Sequence, residues 1–288
     1  MTWLAAIILG VVEGITEFLP VSSTGHLTVA EKLLGLKIDD PSVTAFTAII
    51  QVGAILAAII YFWRDIVRLA VGWFVGLGHK DRRGTDYRLG WAVIVGSIPI
   101  GIVGFALRHV IEGPLRSLWV VAAALVGWSF VMWAADHHNA VLTSGRSRRA
   151  AALRGEASLT VVDGLIIGLT QCLALIPGVS RSGATISAAL FRGIDRQTAT
   201  RWSFFLGIPA LTAAGVFQAY QSYGDIAHGV GWAATGVATA VSLVVAFATI
   251  AWLLRFVARH RFTVFIGYRI LLGVVIAGLI LAEFITPV

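Results

Sequence analysis

Apolar residues run in long unbroken stretches along this chain, with polar residues gathered between them. Six stretches, 43–62, 88–108, 117–136, 200–220, 230–254 and 263–285, match the ~20 residues that a helix needs to cross the hydrocarbon of a bilayer. A soluble core helix would be shorter and would carry a polar face. Two further apolar stretches, 2–19 and 159–176, differ in kind. Each ends in a Pro/Ser/Gly-rich break and is followed by a short helical piece, 24–35 and 183–191. Backbone groups freed at membrane depth are tolerable only when buried in protein or lining a polar cavity, so both breaks are expected inside the molecule, as two re-entrant helical hairpins.

The breaks also resemble each other. Gly14-Ile-Thr-Glu-Phe-Leu19 followed by Val21-Ser-Ser-Thr-Gly25 matches Gly168-Leu-Thr-Gln-Cys-Leu173 followed by Val179-Ser-Arg-Ser-Gly183, the second copy having three extra residues before its proline. Each copy reads as a hairpin that returns to its starting side, followed by three crossings. An odd number of crossings inverts the second copy. The expected fold is therefore all-α and polytopic, with six full transmembrane helices and two re-entrant hairpins in an inverted-topology repeat. It is a single membrane domain over 1–288, with repeat one about 1–136, repeat two about 159–288 and a cytoplasmic linker about 137–158. In such folds discontinuous helices from both halves aim their N-terminal N–H groups at one site near the bilayer midplane.

Composition agrees with a bilayer as solvent. With 58% apolar and 13% charged residues and a mean hydropathy of +0.86, the chain has too little polar surface to cover a water-soluble globule of 288 residues. A net charge of +7 would admit nucleic acid as a partner, but the distribution of charge argues against it. Of the 22 lysines and arginines, sixteen fall on one side of the expected topology: Arg64, Arg68, Lys80, Arg82, Arg83, Arg88, Arg146, Arg148, Arg149, Arg154, Arg192, Arg196, Arg201, Arg255, Arg259 and Arg261. Lys32, Lys37, Arg108 and Arg116 fall on the other, and Arg181 and Arg269 lie within membrane segments. The positive-inside rule puts the sixteen in the cytoplasm. Both termini, the mouth of the first hairpin and the loops 109–116 and 221–229 then face outward. The first apolar run, Trp3 to Val12, lacks the basic leader of a secretory signal and is expected to belong to the mature fold. A single cysteine, Cys172, leaves no internal disulfide and no thiolate cluster, and is expected to pack.

Candidate chemistry collects at the breaks. Glu13 and Glu17 are four apart, so a helix through 2–19 carries both carboxylates on one face. An ionisable side chain in a membrane segment costs roughly 2.5–3.5 kcal/mol on insertion scales, which makes the pair a functional candidate. The two carboxyls either hold a proton or bind a divalent cation, Mg or Ca, through oxygen; the spacing does not choose. In Pro20-Val-Ser22-Ser23-Thr24-Gly25-His26 the proline stops one half-helix and the hydroxyls start the next. A helix start with several hydroxyls and a histidine is an anion site. The partner motif, Pro177-Gly178-Val-Ser180-Arg181-Ser182-Gly183-Ala-Thr185, adds a permanent cation whose fork of donors suits phosphate oxygens. Together the breaks suit a phosphate-bearing substrate approached from lipid, with Glu17, Ser23, His26 and Arg181 as catalytic candidates and Glu13, Ser22, Thr24, Gly25, Ser180, Ser182, Gly183 and Thr185 as binding candidates. Gln51, Asp163 and Arg269 rank lower: support of the site is one role for them, but packing, or pairing of Asp163 with Arg269, is preferred. Pro99 and Pro209 are expected to kink helices, and Trp63, Trp73 and Trp119 to anchor at the interface.

At these motifs the chain resembles the undecaprenyl-diphosphate phosphatase family associated with bacitracin resistance, through Glu13-Gly-Ile-Thr-Glu-Phe-Leu-Pro-Val-Ser-Ser-Thr-Gly-His26 and Pro177-Gly-Val-Ser-Arg-Ser-Gly-Ala-Thr185, and along essentially its whole length. The resemblance implies hydrolysis of undecaprenyl diphosphate to undecaprenyl phosphate and phosphate, recycling the carrier for peptidoglycan and other cell-envelope polymers. It implies the bacterial inner membrane, a site open to the periplasm or exterior, aid from a divalent cation and no organic cofactor. It maps the essential acid to Glu17 with Glu13 assisting, the catalytic histidine to His26, the motif serine to Ser23 and the phosphate-binding arginine to Arg181. Either Ser23 or His26 attacks phosphorus on this reading. Expected partners are the polyprenyl diphosphate and membrane lipids, with a homodimer left open. Inverted repeats with broken helices also mark transporters, so a flippase for a lipid phosphate is the rival. The convergence of nucleophile, base and cation favours the enzyme.

Overall fold

The computed structural model describes residues 1–38, 40–112, 115, 117–143, 153–221 and 223–287. Among these the chain is helical throughout, without a β-strand. The helices are α1 (Trp3–Thr16), α2 (Ser23–Leu33), α3 (Pro41–Tyr61), α4 (Trp63–Gly78), α5 (Thr85–Ala106), α6 (Arg108–Glu112), α7 (Leu118–Thr143), α8 (Val161–Gln171), α9 (Arg181–Phe191), α10 (Arg196–Gln221), α11 (Tyr223–His228), α12 (Trp232–Val257) and α13 (Thr263–Leu281). Six of them, α3, α5, α7, α10, α12 and α13, are long and apolar enough to cross a membrane, and each covers one of the six expected spans. The chain is a multi-pass membrane protein. Ile102 and Phe105 on α5, Val244 on α12 and Leu271 and Val274 on α13 present exposed apolar side chains, as the lipid-facing surface of such a protein requires.

Local chemistry sets the helix ends. Thr2 caps α1, its hydroxyl accepting from Ala5 N at 3.2 Å. Asp40 caps α3 by accepting from Ser42 N at 2.8 Å, with Pro41 at the first helical position, where its missing N–H costs nothing. Thr160 and Asp163 form a reciprocal capping box at α8. α1 ends four residues ahead of Pro20, and α8 passes through a 3-10 turn, Cys172–Leu175, before Pro177. α5 and α10 run through Pro99 and Pro209.

The two broken segments dock on partner helices in the same way. α1 packs on α12 and α8 packs on α5. Gly10 and Gly14 face α12 so closely that a Cβ at Gly10 would fall 2.5 Å from Ala238 O; Gly164 and Gly168 face α5, where a Cβ at Gly168 would fall 2.0 Å from Gly96 O. Both segments thus use glycines four apart to bring backbones together, as membrane helices do where lipid removes any hydrophobic drive to associate.

Three expectations change. The stretch 63–78 forms α4 instead of a loop, exposing Trp63, Val67, Val71 and Phe74 along one side while Leu69 and Gly76 are buried; Arg64, Asp65 and Arg68 interrupt its apolar run, which conceals it from a search for spans. Trp73 packs edge-on to Trp91 with its N–H buried. Asp163 does not pair with Arg269. It is held by Arg154 and by Arg192, whose Nε lies 2.9 Å from Oδ1. The linker begins later than residue 137, since α7 continues to Thr143. Residues 144–152, with Arg146, Arg148 and Arg149, lie outside the described residues, as does Arg116.

Candidate active site

Both breaks carry the same backbone irregularity. Ser22 and Ser180, matching positions of the two motifs, each have φ of 74°, a left-handed value that L side chains rarely adopt. That turn joins α1 to α2 in the first break and α8 to α9 in the second. The capping differs. Ser180 Oγ accepts from Gly183 N at 3.2 Å, whereas Ser22 makes no side-chain cap, so the first turn of α2 keeps its N–H groups for another acceptor.

Glu17 joins the two breaks. It follows α1 with helical dihedrals, its N–H still donating to Glu13 O at 3.0 Å, and only 5% of its surface is accessible. One carboxylate oxygen accepts from Ser23 Oγ at 2.8 Å and from Gln51 Nε2 at 3.1 Å; the other meets Arg181 Nη2 at 3.3 Å. Arg181 arrives from the opposite break at the first position of α9. Its Nη1 donates to Ser203 O at 3.0 Å and its guanidinium lies 5.9 Å from the Phe18 ring centroid, while Nε is buried without a partner. Gly207 packs directly against it: a Cβ there would fall 2.0 Å from Nη1, so the guanidinium would have to move. A buried ion pair of this kind gains little stability over an apolar pair of the same shape, but losing either partner strands the other's charge.

His26 lies three residues beyond Ser23, on the same side of α2. Its Nδ1 is 2.7 Å from Ser22 O and its Nε2 is 2.6 Å from Tyr268 Oη, with the two rings nearly parallel. Glu13 is 1% exposed and neither of its oxygens has a hydrogen-bond partner. It lines a cavity of about 210 Å³ with Ser23, Thr24, Thr28, Glu31, Thr47, Gln51 and Pro177. Two unpartnered carboxylate oxygens, buried beside a cavity that mixes hydroxyls, an amide and a carboxylate with Leu27, Ile38, Ala48 and Val121, fit a hard cation that takes oxygen ligands. Among the described residues there is no cluster of three His, Cys, Asp or Glu around one point.

The remaining motif residues brace the site. Ser182 Oγ donates to Leu19 O at 3.0 Å across the breaks, and Thr185 Oγ1 donates to Ser203 Oγ at 2.7 Å; both side chains are fully buried. Gly25 is buried against Val121, and Thr24 is exposed at the cavity. Gln51, ranked low from sequence, contacts Glu17 directly. Phe18, Ser203, Gly207 and Tyr268 escape the sequence reading, because each is an ordinary packing residue of an apolar helix until its neighbour in space is known.

The bacitracin resistance protein BacA family model matches residues 6–275. The chain is 56% identical to an undecaprenyl-diphosphatase of Cutibacterium acnes, over 99% of this chain and 100% of that one. It is likewise 56% identical to undecaprenyl-diphosphatase 3 of Frankia casuarinae, over 97% of each, and 52% identical to undecaprenyl-diphosphatase 1 of Streptomyces avermitilis, over 96% of this chain and 95% of that one. Matched from α1 into α13, with both breaks included, the chain belongs to the bacitracin resistance protein BacA family.

Proposed function

We propose that this chain is a membrane phosphatase that hydrolyses undecaprenyl diphosphate to undecaprenyl phosphate and inorganic phosphate, with Glu17, Ser23, His26 and Arg181 as its catalytic residues. The observation that carries the site assignment is Glu17, which holds a hydroxyl from one break and a guanidinium from the other on a single carboxylate. Ser23 is the nucleophile and Glu17 its base, since the hydroxyl already donates to Glu17. Ser23 Oγ attacks the terminal phosphorus and its proton passes to Glu17. The bond from phosphorus to the bridging oxygen breaks, and undecaprenyl phosphate leaves. Water then attacks the phosphoserine, giving its proton to His26 on the same side of α2, while Glu17 returns its proton to Ser23 Oγ as that oxygen's bond to phosphorus breaks and phosphate leaves. Arg181 and the uncapped N–H groups of α2 hold the equatorial oxygens, where positioning and charge contribute most in a loose phosphoryl transfer.

Glu13, with Glu17 beside it, would hold a Mg or Ca ion; when bound, such an ion neutralises diphosphate oxygens facing these carboxylates. An apolar groove of about 830 Å³ along α3 and α10, lined by Ile59, Ile208, Pro209, Ala213 and Phe217, takes the prenyl tail. The same two helices supply Gln51 and Ser203 to the polar site. The hairpins are re-entrant and the halves form an inverted repeat; the matched φ of Ser22 and Ser180 and the exchanged docking of α1 on α12 and α8 on α5 support this reading. The positive-inside count supports the bacterial inner membrane with the site open outward. The test is phosphate release from undecaprenyl diphosphate by purified protein, beside Glu17→Ala, Ser23→Ala, His26→Ala and Arg181→Ala and with a chelator titrated into each.

A further inference from the structure

Arg269 lies in the middle of the last apolar helix, α13, and none of its surface is accessible. A buried cation is costly in a membrane segment, and an apolar side chain of similar length would fill the same space without that cost. Four neutral acceptors meet it. Two belong to α7: Ser129 Oγ at 3.2 Å and Ala124 O at 3.4 Å. The other two are carbonyls of the breaks, Pro20 O at 3.2 Å and Gly178 O at 2.9 Å. One planar fork therefore holds both interrupted segments at once, through backbone groups that the interruption itself set free.

The preceding residue acts on the same apparatus. Tyr268 Oη is 2.6 Å from His26 Nε2, with ring centroids 5.5 Å apart and planes 12° from parallel. Ser22 O can only accept, so Nδ1 carries a proton, and Nε2, the ring's remaining basic nitrogen, faces the tyrosine hydroxyl. Adjacent residues of α13 thus hold the two breaks together and the histidine ring at its angle.

We propose that Tyr268 and Arg269 are positioning residues for phosphoryl transfer: Arg269 sets the register of the two breaks, and Tyr268 orients His26. The inference rests on the catalytic roles assigned to Ser23, His26 and Arg181. Neither α13 residue touches the substrate. Lysine at 269 keeps the charge but gathers its donors on one atom, without the planar fork that spans the four separated acceptors.

The test is a pair of double-mutant cycles on the purified full-length protein, reading kcat, KM and thermal midpoint with enough enzyme to measure residual rates. Arg269→Lys is expected to stay folded with KM within about twofold and kcat lower by about 100-fold, the cost of a small misplacement of reacting groups. Tyr268→Phe is expected to lower kcat about tenfold with KM unchanged, and to have almost no further effect in a His26→Ala background, because it acts only through that ring. Arg269→Lys should likewise add little in an Arg181→Ala background. Wild-type kcat in either folded variant overturns its role, as does a Tyr268→Phe loss that persists in full without His26 or that merely follows a fall in thermal midpoint. Should Arg269→Lys fail to fold, the Tyr268 cycle decides alone. A His26→Ala protein at the wild-type rate removes the site assignment and the inference with it; an inactive His26→Ala beside fully active Tyr268→Phe and Arg269→Lys removes the inference only.

Discussion

Arg181 has two demands on it, one electrostatic and one geometric, and substitutions separate them. Arg181→Lys keeps the charge and loses the fork that spans Glu17 and the Ser203 carbonyl. It should lower kcat about 100-fold, the scale of losing one transition-state donor, and near-full activity would contradict the fork's role. Gly207→Ala tests the geometry without removing any polar group. Its methyl would fall 2.0 Å from Arg181 Nη1 and push the guanidinium aside, so activity should fall about 100-fold. Glu17, Ser23 and Arg181 are legible in sequence because ionisable and hydroxyl groups stand out against apolar surroundings. Gly207 and Tyr268 are not, since small and aromatic residues are common in membrane helices and only the fold places 207 against 181 or 268 against 26.

Within the elements, the breaks were readable because proline and clustered hydroxyls end one periodic run and start another. Their backbone was not, and it yields a contrast between two serines of equal φ. Ser22 makes no cap, so Ser22→Gly should relieve the strain of a left-handed non-glycine residue, worth about 1–3 kcal/mol before the extra freedom of an unfolded glycine is subtracted. Its thermal midpoint in detergent should be equal to or above the wild type. Ser180→Gly relieves the same strain but removes the hydroxyl bound to Gly183 N and beside Ser182, a loss of about 1 kcal/mol, and should melt below Ser22→Gly. The reverse order would contradict the capping difference. The groove between α3 and α10 is also a product of folding, since no polar landmark marks it. Filling it with Ala213→Trp should raise KM for undecaprenyl diphosphate about tenfold, about 1.4 kcal/mol of lost binding, and leave kcat unchanged. The spans themselves were read to within a few residues. α4 was missed because an amphipathic helix lacks a continuous apolar run.

At the scale of the molecule, the fold puts two weak copies of one idea together. Neither broken segment has a complete site; the first brings acid, hydroxyls and histidine, the second brings the arginine, and Glu17 is where they meet. The likeness of the paired motifs was visible in the sequence, but the docking of each segment through glycines four apart was legible only once α12 and α5 were seen against them. The orientation expected from the charge distribution can be measured in a Cys172→Ser background. Cysteines at Lys37 and Glu283 should react with an impermeant thiol reagent from outside the cell, and cysteines at Lys80 and Arg259 only after the membrane is opened. The central claim is that the two breaks form one phosphatase site, and phosphate release from undecaprenyl diphosphate tests it most directly. The purified protein should release phosphate, Ser23→Ala, Glu17→Ala and Arg181→Ala should each lose at least about 100-fold, and all should stay folded. A folded wild type that binds the lipid and releases no phosphate, with or without added Mg or Ca, would contradict it.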